Sequence, residues 1–169
     1  MKRREILRGI GAGALLAAAP SVWAQATPPV LTMTGKDGSE QPFTLERYAN
    51  KTCLISFFTA GCNLCTHDLK LMREFNFSNK AKNFALIGVN LDKSRQDFND
   101  YLKLIGLAIP AEQRFPLLWR GAADHRDNFG PIAHEPTHFV LDAKHHLSFK
   151  REGTFQPDDW DRLWTTISL

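Results

Sequence analysis

Two cysteines separated by two residues, Cys62 and Cys65, stand where a run too apolar for a half-exposed strand gives way to helical spacing. Residues 51–59 contain Cys53-Leu54-Ile55-Ser56-Phe57-Phe58, which is apolar on both alternating faces and so belongs in the middle of a sheet covered on both sides. From residue 63 to about 77, Leu64, Leu69, Leu71, Met72 and Phe75 recur at roughly helical intervals, while Lys70, Arg73 and Glu74 supply a wet face. A helix that starts at the cysteines turns unpaired backbone N–H groups toward the Cys62 sulfur, and that field favours the thiolate. The two-residue spacing folds Cys65 back beside Cys62 in the first turn, within reach of a bridge. Cys62 is then the attacking sulfur and Cys65 the resolving one. Half of a zinc site is the competing use of such a pair, but a second Cys or His pair at metal spacing is missing.

The remaining elements follow from periodicity and turn signals. Residues 31–34 and 41–45 flank Gly35-Lys36-Asp37-Gly38, which reads as a hairpin after a Thr27-Pro28-Pro29 linker. Residues 84–90 form a second apolar strand, 94 to about 105 a helix capped by Ser94, and 116–120 a third strand. A short helix is expected at 124–129, a strand at 137–142, a turn at 143–145, a strand at 146–151, and a helix from Pro157. Alternating strands and helices closed by an antiparallel pair give an α/β fold: a mixed central sheet, helices on both faces and an N-terminal hairpin. At 169 residues and 43% apolar content one domain suffices.

The first 26 residues read as an export signal that precedes a domain over residues 27–169. Met1 to Arg8 is basic, residues 9–19 are mildly apolar, and Ala24-Gln25-Ala26 offers small residues for cleavage after Ala26. The apolar stretch is about half of the roughly 20 residues that span a bilayer. Lys2 to Arg8 resembles the twin-arginine signal, with Lys2 where Ser or Thr is common, and that resemblance implies a bacterial protein exported folded to the periplasm. An ordinary Sec signal leads to the same compartment. Removing the leader's four basic and one acidic residues brings 21 basic and 18 acidic residues to equality. With no basic stripe left to displace counterions, nucleic-acid binding is excluded. Three cysteines in an oxidising compartment make one bridge and one leftover; Cys62 and Cys65 pair, and Cys53 in the apolar strand serves as a small hydrophobe.

Gly35-Lys36-Asp37-Gly38, the Cys53 strand, Cys62-x-x-Cys65, Ile87-Gly88-Val89-Asn90 and Glu135-Pro136-Thr137-His138-Phe139-Val140-Leu141-Asp142 resemble, in order and spacing, the TlpA/ResA-like periplasmic thioredoxins. The resemblance implies a thioredoxin-like fold and a thiol-disulfide oxidoreductase that needs no cofactor and reduces client proteins with electrons from a membrane partner. Clients in that family include apocytochrome c and copper-site assembly proteins. The resemblance further implies a cis bond between Glu135 and Pro136, with Pro136 facing the disulfide and the Glu135 backbone free to pair with a client chain.

Departures from the family bear on which reaction runs. Gly61 replaces the usual Trp before the first cysteine and Leu64 the usual Pro before the second. Glu135 stands where small or apolar residues are common; a carboxylate there raises a thiol pKa and makes Cys62 a scarcer but stronger nucleophile. His67 and His134 are candidates to donate to a thiolate or bind metal, Asp92 at a strand end is a candidate acid, and His138, His145 and His146 read as strand and turn residues.

Three other functions compete. Sco copper chaperones share the fold and use two cysteines with a distant His as soft ligands, here Cys62, Cys65 and approximately His134, but with cysteines three apart rather than two. Peroxiredoxins place a Pro and a Thr before their reactive cysteine; this chain has Thr59 but Ile55 where the Pro belongs, so peroxide consumption should be slow. A binding module with an inert bridge predicts that Cys62→Ser leaves function intact.

Overall fold

The computed structural model describes residues 28–168; the leader and its cleavage site lie outside them. Strands β1 (Met33–Lys36) and β2 (Pro42–Thr44) form the N-terminal hairpin, with Lys36 opposite Pro42. Its turn falls later than the glycine signals suggest because Asp37 organises it: Asp37 Oδ1 accepts from the amides of Ser39 and Gln41 at 2.8 and 3.0 Å.

Strand β3 (Thr52–Phe58) is buried along its whole length. It pairs parallel with β4 (Phe84–Asn90) and antiparallel with β7 (Thr137–Leu141). Strand β5 (Leu117–Trp119) extends the sheet beyond β4, and β8 (Leu147–Glu152) extends it beyond β7, giving the mixed order β5-β4-β3-β7-β8. Helix α1 (Asn63–Ser78) leaves the end of β3, and α2 (Arg95–Ala108) starts after Ser94, whose hydroxyl accepts from the Asp97 amide at 3.1 Å. Helix α3 (Pro157–Ile167) opens on the proline expected to start it. The Asp159 carboxylate accepts from the Gln156 amide before it and from Arg151 on β8.

Alternation along β3 sends Cys53, Ile55 and Phe57 to one face and Leu54, Ser56 and Phe58 to the other. Leu54 packs with Met72 of α1 and Leu163 of α3, and Phe58 packs with Leu69 of α1 and Phe98 of α2. All three α-helices therefore cover the same face. The opposite face is filled by Leu31, Met33, Phe43, Leu45 and Phe129, from the hairpin, the 3-10 turn Leu45–Tyr48 that follows it and the irregular segments around them. The expected mixed sheet and hairpin are present; on the opposite face an α-helix is absent among the described residues, and the 3-10 turn Leu45–Tyr48 packs there instead. The crossovers β3-α1-β4 and β4-α2-β5 step in the same direction across the sheet, so right-handed connections put both helices on one side. The short helix expected at 124–129 is absent too. That segment holds β6 (Arg126–Asp127), which pairs with β1. Its polar side chains bond elsewhere than to a helical turn: Asn128 bridges to the Thr32 amide and the Val30 carbonyl, and Asp127 accepts from the Phe129 amide. Phe129 is left free to pack tilted against Phe57 and edge-on against Phe139, with centroids 5.4 and 5.0 Å away.

Candidate active site

The end of a buried strand and the start of a helix meet at Cys62, as the sequence pattern requires. Cys62 occupies the N-cap of α1, and its Sγ accepts from the Cys65 amide at 3.0 Å. The two sulfurs are joined in a disulfide with Cα atoms 5.2 Å apart. Their surroundings differ: Cys62 is half-buried, whereas Cys65 is 1% exposed and packs among Phe58, Leu69, Phe98 and Leu117. An incoming nucleophile or client sulfur can thus reach Cys62, while Cys65 is shielded. The first turn of α1 carries no acidic residue to oppose the N–H groups that face Cys62.

The loop from Thr59 to Cys62 is held from two sides. Asp92 accepts from the Ala60 amide at 3.1 Å and from the Asn90 side chain at 2.7 Å, which commits this candidate acid to positioning the loop. On the other side the Thr59 hydroxyl donates to the Glu135 carboxylate at 2.6 Å, and the Cys62 amide donates to the Thr59 carbonyl at 3.3 Å. Glu135 is thereby joined to the cysteine loop through a single residue. The Glu135–Pro136 peptide bond is cis; Glu135 is exposed and Pro136 buried.

The histidine candidates do not converge on the sulfurs. His134 is exposed and lies 3.7 Å from the Glu152 carboxylate. His67 is exposed on α1, on the wall of a groove between α1 and α2. Among the described residues no group of three His, Cys, Asp or Glu side chains is placed to hold a metal ion, so the set of Cys62, Cys65 and His134 is not assembled. Cys53 is fully buried in β3, and burial pushes its thiol up to about 12 against a smaller downward pull from Lys51.

One pair went unread in the sequence. Asp68 and His138, both fully buried, meet with His138 Nε2 3.0 Å from Asp68 Oδ2, which also accepts from the Phe155 amide at 2.9 Å. Asp68 Oδ1, His138 Nδ1 and the hydroxyl of Ser56, the cross-strand neighbour of His138, have no hydrogen-bond partner. A readable signal existed: Asp68 falls on the buried stripe Cys65-Asp68-Leu69-Met72 of α1, where an unpaired carboxylate would be expensive. His138 likewise occupies an inward position of a strand buried along its whole length.

A five-stranded mixed sheet with a Cys-x-x-Cys bridge at a strand-to-helix junction defines a thioredoxin-like protein. The chain belongs to the AhpC/TSA family, whose profile matches residues 25–150. Solved structures share the fold. A thiol:disulfide interchange protein of the thioredoxin family from Chlorobium tepidum TLS superposes with a TM-score of 0.65 at 21% identity, covering 85% of this chain and 99% of that one. StoA from Bacillus subtilis gives 0.57 at 21% identity over 83% and 98%. A thio-disulfide isomerase from Thermus thermophilus gives 0.61 at 18% identity over 82% and 94%. No curated protein matches the sequence significantly.

Proposed function

We propose that the protein is a periplasmic thiol-disulfide oxidoreductase that reduces disulfides in client proteins through Cys62 and Cys65. The observation that carries this reading is the asymmetry of the pair: a reachable Cys62 at a helix N-terminus bonded to a shielded Cys65. In the reduced protein the Cys62 thiolate attacks one sulfur of a client disulfide, forming a mixed disulfide and releasing the other client sulfur as a thiolate that takes up a proton. The Cys65 thiol then loses its proton and attacks the Cys62 sulfur. The Cys62–Cys65 bond forms, the client leaves with two thiols, and two electrons have passed to it. The proton that Cys65 releases ends on the departing client thiolate.

Glu135 and Pro136 flank the cysteine loop, and the Glu135 backbone pairs with the client chain across Cys62. The Glu135 carboxylate, held through Thr59, opposes the negative charge of the thiolate. Residues 1–26 act as the export signal, cleaved after Ala26, and a membrane protein re-reduces the bridge. Among the described residues no helix is long and apolar enough to cross a membrane.

Turnover of a protein disulfide with an added thiol as electron source tests the reading. Wild-type protein should accelerate it, Cys62→Ser should fall to background, and Cys65→Ser should accumulate a mixed disulfide visible by mass. Retained turnover in Cys62→Ser would sink the proposal. The equilibrium reduction potential gives direction: near the value of about −270 mV typical of thioredoxin it supports a reductase, and near about −120 mV it makes the protein a disulfide donor.

A further inference from the structure

A groove of about 850 Å³ runs between α1 and α2 and begins beside the reactive sulfur, where Ala60, Gly61 and Asn63 line its end. That volume is in the range of small-molecule sites. Leu69 and Ile105 give it an apolar floor, and Leu104, 60% exposed, adds an apolar wall from α2. Both signs of charge line it. Lys70 and Arg73 stand on α1, Asp97 and Asp100 on α2, and Asp92 in the segment before α2. Asp100 is paired with Lys103. The other four have no ion-pair partner among the described residues, so the groove offers two open positive groups and two open negative ones.

The two signs are separated along the groove. Strands β3 and β4 run parallel, so α1 and α2 both set out from the end of the sheet that carries Cys62. Asp92 accepts from the Ala60 amide, two residues before Cys62, and Asp97 lies in the first turn of α2; the negative groups therefore stand at the sulfur end. Lys70 and Arg73 lie farther down α1, about 12 and about 16 Å of helix rise beyond Cys62. Tyr101 sits between them. Burial pushes its phenol up to about 12, with Arg73 pulling it down and Asp92 pushing it up, so opposite charges from the two ends act on one neutral ring. The complement of this groove carries positive charge next to its reacting sulfur, apolar surface behind it, and negative charge at the far end.

Resting on the dithiol reading, we propose that the groove binds short free peptides whose N-terminal residue is a half-cystine, a second class of substrate beside protein clients. The terminal ammonium lies against Asp92 and Asp97, apolar middle residues cover Leu104 and Tyr101, and the terminal carboxylate reaches Lys70 and Arg73. An extended chain advances about 3.3 Å per residue, so four or five residues span the distance from Cys62 to the two basic groups. Only a peptide of about that length carries both terminal charges at the required separation. The Cys62 thiolate attacks the half-cystine sulfur, and the sulfur formerly bonded to it leaves as a thiolate. Cys65 then attacks the Cys62 sulfur, its proton passes to the peptide sulfur, and the peptide departs as a thiol while the Cys62–Cys65 bond forms.

A pentapeptide with an N-terminal cysteine and two leucines, its sulfur joined to a chromophoric thiol, tests this in four forms: both termini free, N-acetylated, C-amidated, and blocked at both ends. Chromophore release by the reduced protein is divided by release by dithiothreitol from the same peptide, which removes the effect of each terminus on the intrinsic reactivity of the disulfide. With wild-type protein the ratio should be highest for the free peptide, about threefold lower with either terminus blocked and about tenfold lower with both, on the scale of exposed charge pairs. Asp97→Asn should shrink the effect of acetylation and keep that of amidation; a Lys70→Gln, Arg73→Gln double variant should erase the effect of amidation and keep that of acetylation. Equal or inverted ratios for the four forms, or terminal effects that the variants leave unchanged, would overturn the peptide site while leaving the dithiol reading standing. Failure of the reduced protein to release chromophore even from the symmetrical small disulfide of the same thiol would overturn the dithiol reading itself, and the peptide site with it.

Discussion

At the residue scale, the chemistry of Cys62 depends on neighbours that pull in opposite directions. The N–H groups of α1 and the Cys65 amide stabilise negative charge on its sulfur. Glu135 is tied to the same loop by the 2.6 Å bond from Thr59, and in the function proposed above its charge opposes that of the sulfur. Replacing Glu135 by Gln keeps the shape and removes the charge, so the thiolate fraction of reduced Cys62 at neutral pH should rise about two- to threefold, a modest effect because Glu135 is exposed and screened. Thiolate ultraviolet absorbance checks this, and an unchanged or smaller fraction would assign Glu135 a purely structural role. Glu135 could be placed near the sulfurs from the sequence because the Glu-Pro-Thr motif carried a family resemblance. Asp68 and His138 could not, because each looked like a local exception to an apolar stripe. Only their meeting across 70 residues of chain explains why both are tolerated.

At the element scale, the segment after β5 shows how a few polar contacts replace a helix. Arg120 grips the Asp127 carboxylate through two bonds of 2.8 Å, and His125 adds a third at 2.8 Å. Burial pushes Asp127 up, but the bonds from His125, Arg120 and the Phe129 amide, with the Arg120 charge, more than offset it and hold the carboxyl down to about 2. Its folded value lies below the ordinary unfolded value of about 3.9, so this contribution is fully present above pH 4 or so and is lost as pH falls toward about 2. Acid titration of the unfolding free energy should show a loss on the order of 1–2 kcal/mol across that window, and Asp127→Asn should be less stable at neutral pH but should lose less on acidification. Equal slopes for the two proteins would show that the cluster contributes nothing. Helical periodicity around residues 124–129 was too short to weigh against these bonds, which join residues that the sequence does not place side by side.

At the scale of the whole molecule, one sheet separates two different interiors. The face bearing α1, α2 and α3 holds the buried Cys65, Asp68 and His138, and the other is an aromatic and aliphatic core closed by the hairpin. Cys53 belongs to the second, fully buried, and burial pushes its thiol up to about 12. In the oxidised protein a thiol reagent should therefore label Cys53 only at the rate of global opening, and one thiol should become reactive on denaturation. Fast labelling of the native protein would show that the β3 core opens locally. The sequence alone determined the strand-to-helix junction that carries Cys62 and Cys65, the central buried strand and the order of the elements outside residues 124–129, because each of these is written in local periodicity, capping and spacing, while the thioredoxin-like class came from the resemblance of its motifs to a known family. The tertiary structure alone decided that all three helices share a face, that residues 126–127 pair with β1, that Asp68 meets His138, and that α1 and α2 leave a groove open beside Cys62. Those features depend on contacts between residues far apart in the chain, where handedness of crossover and the pairing of buried polar groups outweigh local preference.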